Sequence, residues 1–378
     1  MANSFTASLQ PLLFGAARIV PRELTGVIGA VDTKFSDQGV AKGDTVTVPV
    51  SPVATLASFT ASQTFTVGTD RTATSKVLTL NQEKVSSWNL TPEQERSLGN
   101  GGMADDVLQQ TVKQHIRAHV NGMEAYVWGI ARKAASRGTG TAATSPFATD
   151  QKPLADALKI LLDNGAGNQD LSAIIDTVAG ADLRKVANLF KVSEAGDGNM
   201  LRNGVLGRLY NFDIRESAAV AAVTKGTGAS YTSNTAGYAV GATAITLITG
   251  TGTILAGDVV TFAGDTNKYV VAADLAGGVV TLAEPGLKVA LAGSAVAMTI
   301  GSTATQNVCL RRDAVVFAAR PGLQPEGGGI DQMTISDPVT GLSFLVYRKV
   351  GDGIASWYMR TVYDAFAPNP YACAMLLG

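Results

Sequence analysis

Residues Met103 to Arg137 read MADDVLQQTVKQHIRAHVNGMEAYVWGIARKAASR, and their periodicity decides how the rest of the chain is arranged. Val107, Leu108, Val112, Ile116, Val120, Met123, Val127, Ile130, Ala131 and Ala134 recur at three- and four-residue steps, which puts them on one stripe of an amphipathic helix. Asp105 and Asp106 near the start, with Arg132, Lys133 and Arg137 near the end, follow the charge order that complements a helix dipole. Gly138 to Gly140 then stop the helix. At about 1.5 Å per residue it runs roughly 50 Å, the width of a whole domain. In a chain otherwise patterned as short strands, such a helix reads as a spine.

The remaining sequence is arranged around it. Residues 1–44 form an arm with little core of its own, in which Pro11 and Pro21 break the run Leu12–Val20. From Thr45 the period becomes two. Val46, Val48 and Val50 alternate with polar residues, a threonine-rich excursion covers Ser58–Ser75, and Val77, Leu78, Leu80, Val85, Trp88 and Leu90 resume the alternation. Residues 45–90 are therefore an extended hairpin that needs a neighbour to lie on. Thr91-Pro92-Glu93-Gln94 is a capping box for a short helix to Leu98.

Downstream of the spine, Asp150 and Pro153 open a helix whose Leu154, Leu158, Leu161 and Leu162 face inward, ending at Gly165. Ala173–Val178 reads as a buried strand, Ala181–Phe190 as a helix, and Val205–Arg215 as a strand pair, making residues 91–220 a mixed α/β block. Composition shifts near Ala221. Short β-rich runs follow at Ala244–Ile248, Asp258–Phe262, Tyr269–Val271, Val279–Leu282, Lys288–Ala290 and Ala295–Met298, with turn signals between them. Such spacing predicts a small all-β barrel over residues 221–303, inserted into the main domain. Residues 304–378 return to the body with a strand at Asn307, a short helix from Asp313, and strands at Gln332–Ser336, Leu342–Val350, Ser356–Phe366 and Tyr371–Leu377. The fold class is α+β.

The chain's 378 residues carry 30 Lys and Arg against 31 Asp and Glu, which argues against tight electrostatic binding of nucleic acid by the chain as a whole. Charged residues make up 16%, where about 25% is usual. So neutral a surface fits either an Ala/Gly/Thr-rich extracellular protein or one whose outside is covered by copies of itself. Cys309 and Cys373 are too few for a disulfide framework or a thiolate zinc site and read as buried reduced thiols. The start lacks a basic region before its apolar run, and no segment approaches the length of a membrane span, so neither export by a standard signal nor a spanning helix is expected.

Candidate chemistry is sparse. His115 and His119, four residues apart, could grip one metal ion as in H-E-x-x-H enzymes, but Ile116 stands where the catalytic Glu would be; they read as a solvent-facing or intersubunit polar pair. Gly99-Asn100-Gly101-Gly102-Met103-Ala104 matches a dinucleotide-loop pattern, yet follows a capped helix and not a strand, and so reads as a linker. No Lys is followed by Ser or Thr, and no G-x-S-x-G elbow exists. Asp105 and Asp106 are accounted for by the helix dipole, and Arg311-Arg312 beside Asp313 by a strand edge or an intersubunit ion pair. No catalytic group and no cofactor is expected.

Four stretches, in this order, resemble the major capsid protein of tailed double-stranded DNA bacteriophages with the Hong Kong 97 fold, and within it the coat subfamily of short-tailed Salmonella phages. They are TVTVPV followed by SKVLTLNQEKVSSWNLTPEQE, similar to the family's E-loop hairpin; AHVNGMEAYVWGIARKAASRGTGTAATSP in the spine; TILAGDVVTFAG in the insertion, after RLYNFDIRES; and NVCLRRDAVVFAARPGL with the C-terminal ACAMLLG. The resemblance implies a structural protein that assembles with itself into hexamers and pentamers of an icosahedral shell. It further implies a scaffolding protein during assembly, a portal protein at one vertex, room for a decoration protein, enclosed double-stranded DNA held without sequence-specific binding, and assembly in the host bacterial cytoplasm. Intersubunit contacts are then expected from the hairpin (Phe59, Phe65, Arg71, Lys76), the arm (Arg18, Arg22) and Arg311 and Arg312. An encapsulin-like compartment, a metal-dependent hydrolase using His115 and His119, and a secreted adhesin are the alternatives.

Overall fold

The computed structural model describes residues 25–33, 42–50, 74–91, 93, 103–186, 207–323, 330–337, 340–351 and 353–378. The expected arm before residue 25, the hairpin excursion, the helix of the capping box and the glycine linker at 99–102 lie outside these residues, as do Arg18, Arg22, Phe59, Phe65 and Arg71.

Helix α1, Met103–Ala134, is the longest element. Val112, Ile116, Val120, Met123, Val127 and Ala131 are all fully buried, at the three- and four-residue steps that align them on one face. They pack into the main apolar core with Trp357, Met359 and Tyr363 of the strand Ile354–Phe366. That strand belongs to a five-stranded antiparallel sheet with Val316–Pro321, Ser343–Gly351 and Ile330–Ser336. Gln82–Leu90 pairs with Ala355–Tyr363 along its opposite side over nine residues.

A second group of strands runs in the order Phe212–Glu216, Leu171–Ile175, Ala304–Arg311, Cys373–Leu377 and Arg137–Gly140. Helix α2, Lys152–Asp163, lies on it through Leu154, Ala157, Ile160 and Leu161. Cys309 and Cys373 sit on neighbouring strands as buried free thiols, and burial pushes the Cys309 thiol up to about 12. The β-rich region has its own apolar cluster, built from Tyr231, Ile245, Val260, Phe262, Tyr269, Val271, Val280, Leu282, Met298 and others within residues 231–300. Its two connections to the body are adjacent, because Ala222–Val223 pairs antiparallel with Ala304–Thr305. Its strand Lys268–Ala276 also pairs with Arg137 and Gly138, so hydrogen bonding continues from body to β-rich region.

Several elements differ from the sequence reading, each for a local reason. The long helix ends at Ala134 and not at Arg137: Ser136 donates its amide and its hydroxyl to Cys373 O, and Arg137–Gly140 becomes a strand. Helix α3, Thr177–Leu183, starts earlier than Ala181 because the Asp176 carboxylate caps it, accepting from the amides of Val178 and Ala179. The helix expected from Asp313 is a single 3-10 turn, Arg312–Ala314; the following Val316–Pro321 is captured as a strand by Thr361–Phe366. Lys288–Ala290 is not a strand, and Tyr231–Thr232 is an additional one.

The arm is the most instructive difference. Its described part, residues 25–33, is not an appendage: Val27, Ile28, Ala30 and Val31 are buried in the main core. Asp32 donates its amide to Val315 O and accepts from Phe317 N, and an ideal Cβ on Gly26 would lie 2.7 Å from Glu216 O. By contrast, the hairpin strands Thr45–Val50 and Thr74–Thr79 pair with each other as a separate two-stranded sheet. It is attached through Val46, Leu78 and Leu80 to Ala318 and Val362, while Val77 remains 55% exposed.

Replacing Gly26 by Ala is expected to destabilise the chain by about 1–3 kcal/mol, because the Cβ would meet the Glu216 carbonyl against which residues 25–33 dock. Gly122→Ala, on the exposed face of α1 with nothing within 4 Å, is expected to stabilise it by up to about 1 kcal/mol. Denaturant midpoints of the two variants check both signs.

Candidate functional site: a polar seam along the long helix

The buried stripe of α1 is interrupted by polar side chains, and each interruption ties the helix to a different part of the chain. His119, 6% exposed, is bracketed by two hydroxyls: Nε2 lies 3.0 Å from Ser86 Oγ and Nδ1 3.2 Å from Thr361 Oγ1. Phe344 meets its ring edge-on at 5.9 Å. Burial, reinforced by the nearby His115, lowers its pKa to about 4, so the ring is neutral at physiological pH. His115, half-buried, stacks on Trp88 at 4.6 Å, and Trp88 stacks on Trp357 at 6.0 Å. An open groove of about 530 Å³ between Gln82–Ser86 and the Ala118–Tyr126 part of α1 exposes one edge of this arrangement.

One turn further on, Glu124 is 2% exposed. Its carboxylate accepts the Val27 amide at 3.0 and 3.2 Å and also bonds the Ile28 backbone. Desolvation outweighs these bonds and raises its pKa to about 7. Tyr126 Oη donates to Asp364 Oδ1 at 2.7 Å, and the same carboxylate accepts from Asn81 N at 3.1 Å, at the base of the hairpin. Burial, with the Asp364 carboxylate beside it, raises the Tyr126 pKa.

Toward its C-terminus the helix reaches the β-rich region. Trp128 Nε1 donates to Gln306 O at 2.9 Å, Arg132 to Gln306 Oε1 at 3.1 Å, and Gln306 Nε2 to Gly257 O at 2.9 Å. Gly257 has φ +93, and a Cβ there would meet the Arg132 guanidinium at 2.3 Å. The helix thus holds the N-terminal segment, the hairpin base and the β-rich region through separate polar contacts on one rigid element.

Of the sequence-selected residues, Lys76 donates from Nζ to Pro368 O at 2.8 Å, clamping the hairpin to its own body. Arg311 pairs with Asp313 and also donates to Ala166 O, whereas Arg312 is exposed. Of the pair expected to face solvent or another subunit, His119 is instead interior, because position 119 turns toward Ile354–Phe366 and both of its ring nitrogens are engaged by hydroxyls. Among the described residues, no group of three or more His, Cys, Asp and Glu could hold a metal ion. Glu124, Gln306 and Asp364 escaped the sequence reading. Glu124 had a signal, since it lies four residues after Val120 and three before Val127, on the apolar stripe itself.

No protein-family model and no curated protein matches the sequence. Solved structures do match in fold. A chain from Mycobacterium phage Che8 is 13% identical with TM-score 0.52, over 94% of this chain and 92% of that one. A chain from the capsid structure of the Cyanophage P-SCSP1u is 11% identical with TM-score 0.51, over 95% and 89%. The likeness extends over nearly the whole chain and is one of fold. Among the described residues no helix is long and apolar enough to cross a membrane.

The Glu124 contact predicts a pH dependence. A carboxyl whose folded pKa, about 7, lies above its ordinary 4.5 binds its proton more tightly in the native state. Its contribution to stability is present below about pH 4.5 and is lost as pH rises through about 7. Glu124→Gln is expected to remove about 3 kcal/mol of the fall in stability between pH 4.5 and 8, measured as the difference between wild-type and variant urea curves. Identical pH dependences would contradict the assignment.

Proposed function

We propose that the chain is the coat subunit of an icosahedral bacteriophage shell, assembling into hexamers and pentamers around double-stranded DNA. What carries the reading is a fold likeness to phage particle chains over 94% and 95% of the sequence, at TM-scores above one half. The low charge content supports it, because a subunit enclosed by copies of itself needs little charged surface. So does the separate two-stranded sheet at Thr45–Val50 and Thr74–Thr79, which is attached to its own body by a small apolar patch and the Lys76–Pro368 hydrogen bond.

In this reading residues 45–90 are the E-loop and its strands, 91–220 the spine helix and first part of the body, 221–303 an inserted β-barrel domain, and 304–378 the return of the body. Residues 1–44 are the arm. Because residues 25–33 are fixed to the subunit's own core, the part of the arm that crosses to a neighbour is the part before them. Phe59, Phe65 and Arg71 at the hairpin, Arg18 and Arg22 in the arm and the exposed Arg312 are the proposed intersubunit residues. Lys76 and Arg311, both engaged within the subunit, would contribute by holding those elements in place. A scaffolding protein, a portal protein and a decoration protein are the proposed heterologous partners, and the mature location is the virion. The role needs no catalytic group.

The test is assembly. The chain expressed with its scaffolding protein is expected to give closed particles under negative-stain microscopy; small soluble species alone, with and without scaffold, would overturn the reading. Deleting residues 58–74 is expected to leave the subunit folded by circular dichroism yet abolish closed particles. Normal particles from that deletion would contradict the placement of the hairpin between subunits.

A further inference from the structure

Where the body meets the β-rich region, a polar pocket of about 420 Å³ is lined by Arg137, Thr139, Lys152, Lys159, Thr266 and Lys268 among others. Its charges are unevenly matched. Arg137 is 4% exposed, yet its guanidinium donates to two amide oxygens, Asn267 Oδ1 at 3.1 Å and Asn164 Oδ1 at 3.2 Å. The one carboxylate it approaches among the described residues is Asp163, at 3.9 Å, and Asp163 is shared with Lys159 at 3.4 Å. Half-buried Lys268 donates to the carbonyl of Gly140, and burial lowers its pKa. Asp156, at the rim, is taken by Lys152 at 2.5 Å. Asp265 accepts from Asn267 Nδ2 at 2.6 Å and from the Tyr269 hydroxyl, so it is linked to Arg137 through the Asn267 amide.

Buried charges are ordinarily met by an opposite charge, since neutral acceptors recover only part of the lost hydration. Here a buried guanidinium, whose nearest carboxylate is 3.9 Å away and shared with Lys159, and a half-buried ammonium lie in one polar pocket and direct their hydrogen bonds to neutral oxygens. We propose that this pocket is a binding site for a phosphate group, with Arg137 and Lys268 as its charged floor and Lys152 and Lys159 at its rim. A planar fork and a point charge together suit a tetrahedral oxyanion, and the Thr266 and Thr139 hydroxyls on the lining are further donors. The source is a free phosphate or phosphate ester, or the backbone of a nucleic acid. The near-zero net charge of the chain does not oppose this, because the site acts through a local excess of cations. The inference stands on the pocket and is independent of the shell reading.

The test is calorimetric titration of the full-length chain with inorganic phosphate at low salt, repeated with a short DNA duplex. Saturable phosphate binding is expected, weakened about tenfold or more in Lys268→Gln and left unchanged in Lys84→Gln, a lysine remote from the pocket. Should Lys268→Gln disturb the pairing with Gly138, seen by circular dichroism, the exposed Lys159→Gln carries the same test with a loss of about threefold. Duplex binding displaced by phosphate identifies a nucleic-acid backbone as the source; phosphate binding that the duplex does not compete with identifies a small phosphate. No saturable phosphate binding by the wild-type chain, or equal binding by the pocket variants and wild type, would overturn the proposal.

Discussion

The buried stripe of α1 is the constraint on which the rest of the structure depends. Six fully buried apolar side chains from Val112 to Ala131 hold the helix against the strand Ile354–Phe366 and the body. At about 1.5–3 kcal/mol for a large buried apolar side chain, this face decides where the helix lies. The polar groups on it decide what the helix carries. A hydrogen bond contributes little net stability, but a buried group left without its partner costs more, so each contact fixes register more than it adds strength. Glu124 fixes the N-terminal segment, His119 the strand Gln82–Leu90, and Arg132 with Gln306 the β-rich region. A rotation or bend of the helix therefore moves three parts of the chain together.

How far the sequence discloses this depends on the range of the interaction involved. The apolar period of α1 is local, and the spacing alone identifies its six fully buried members. The alternation at Val46, Val48, Val77 and Leu78 is also local, and those strands pair with one another as expected, whereas Gln82–Leu90, read as part of the same hairpin, pairs with the body strand Ile354–Phe366. Where long-range partners decide, local reading fails. The helix expected from Asp313 stops after one turn because Val316–Pro321 pairs with Thr361–Phe366, and residues 25–33 look featureless until the Glu216 carbonyl and the Glu124 carboxylate are in place around them. His119 was misjudged for a related reason: the spacing of a histidine pair says nothing about which face of the helix is covered.

The chain is uneven in how completely it satisfies itself. Residues 25–33 and the strand Gln82–Leu90 are closed against their own body, while the hairpin at Thr45–Val50 and Thr74–Thr79 rests on a small patch and leaves Val77 exposed. One part of the chain thus leaves apolar surface uncovered, and the neighbouring strand Gln82–Leu90 anchors its base. The pocket around Arg137 is a second incompletely satisfied feature, in charge and not in apolar surface, and it falls where the strand Arg137–Gly140 joins the body to the β-rich region. Occupation of that pocket would stiffen a junction that α1 also reaches through Arg132.

Native-state amide exchange on the unassembled chain tests the role of α1 most directly. If the stripe is the element on which everything else rests, amides from Val112 to Ala131 exchange last, together with those of Ile354–Phe366, and only through global unfolding. Exchange of the α1 amides ahead of those in Val259–Phe262 of the β-rich region would contradict the account.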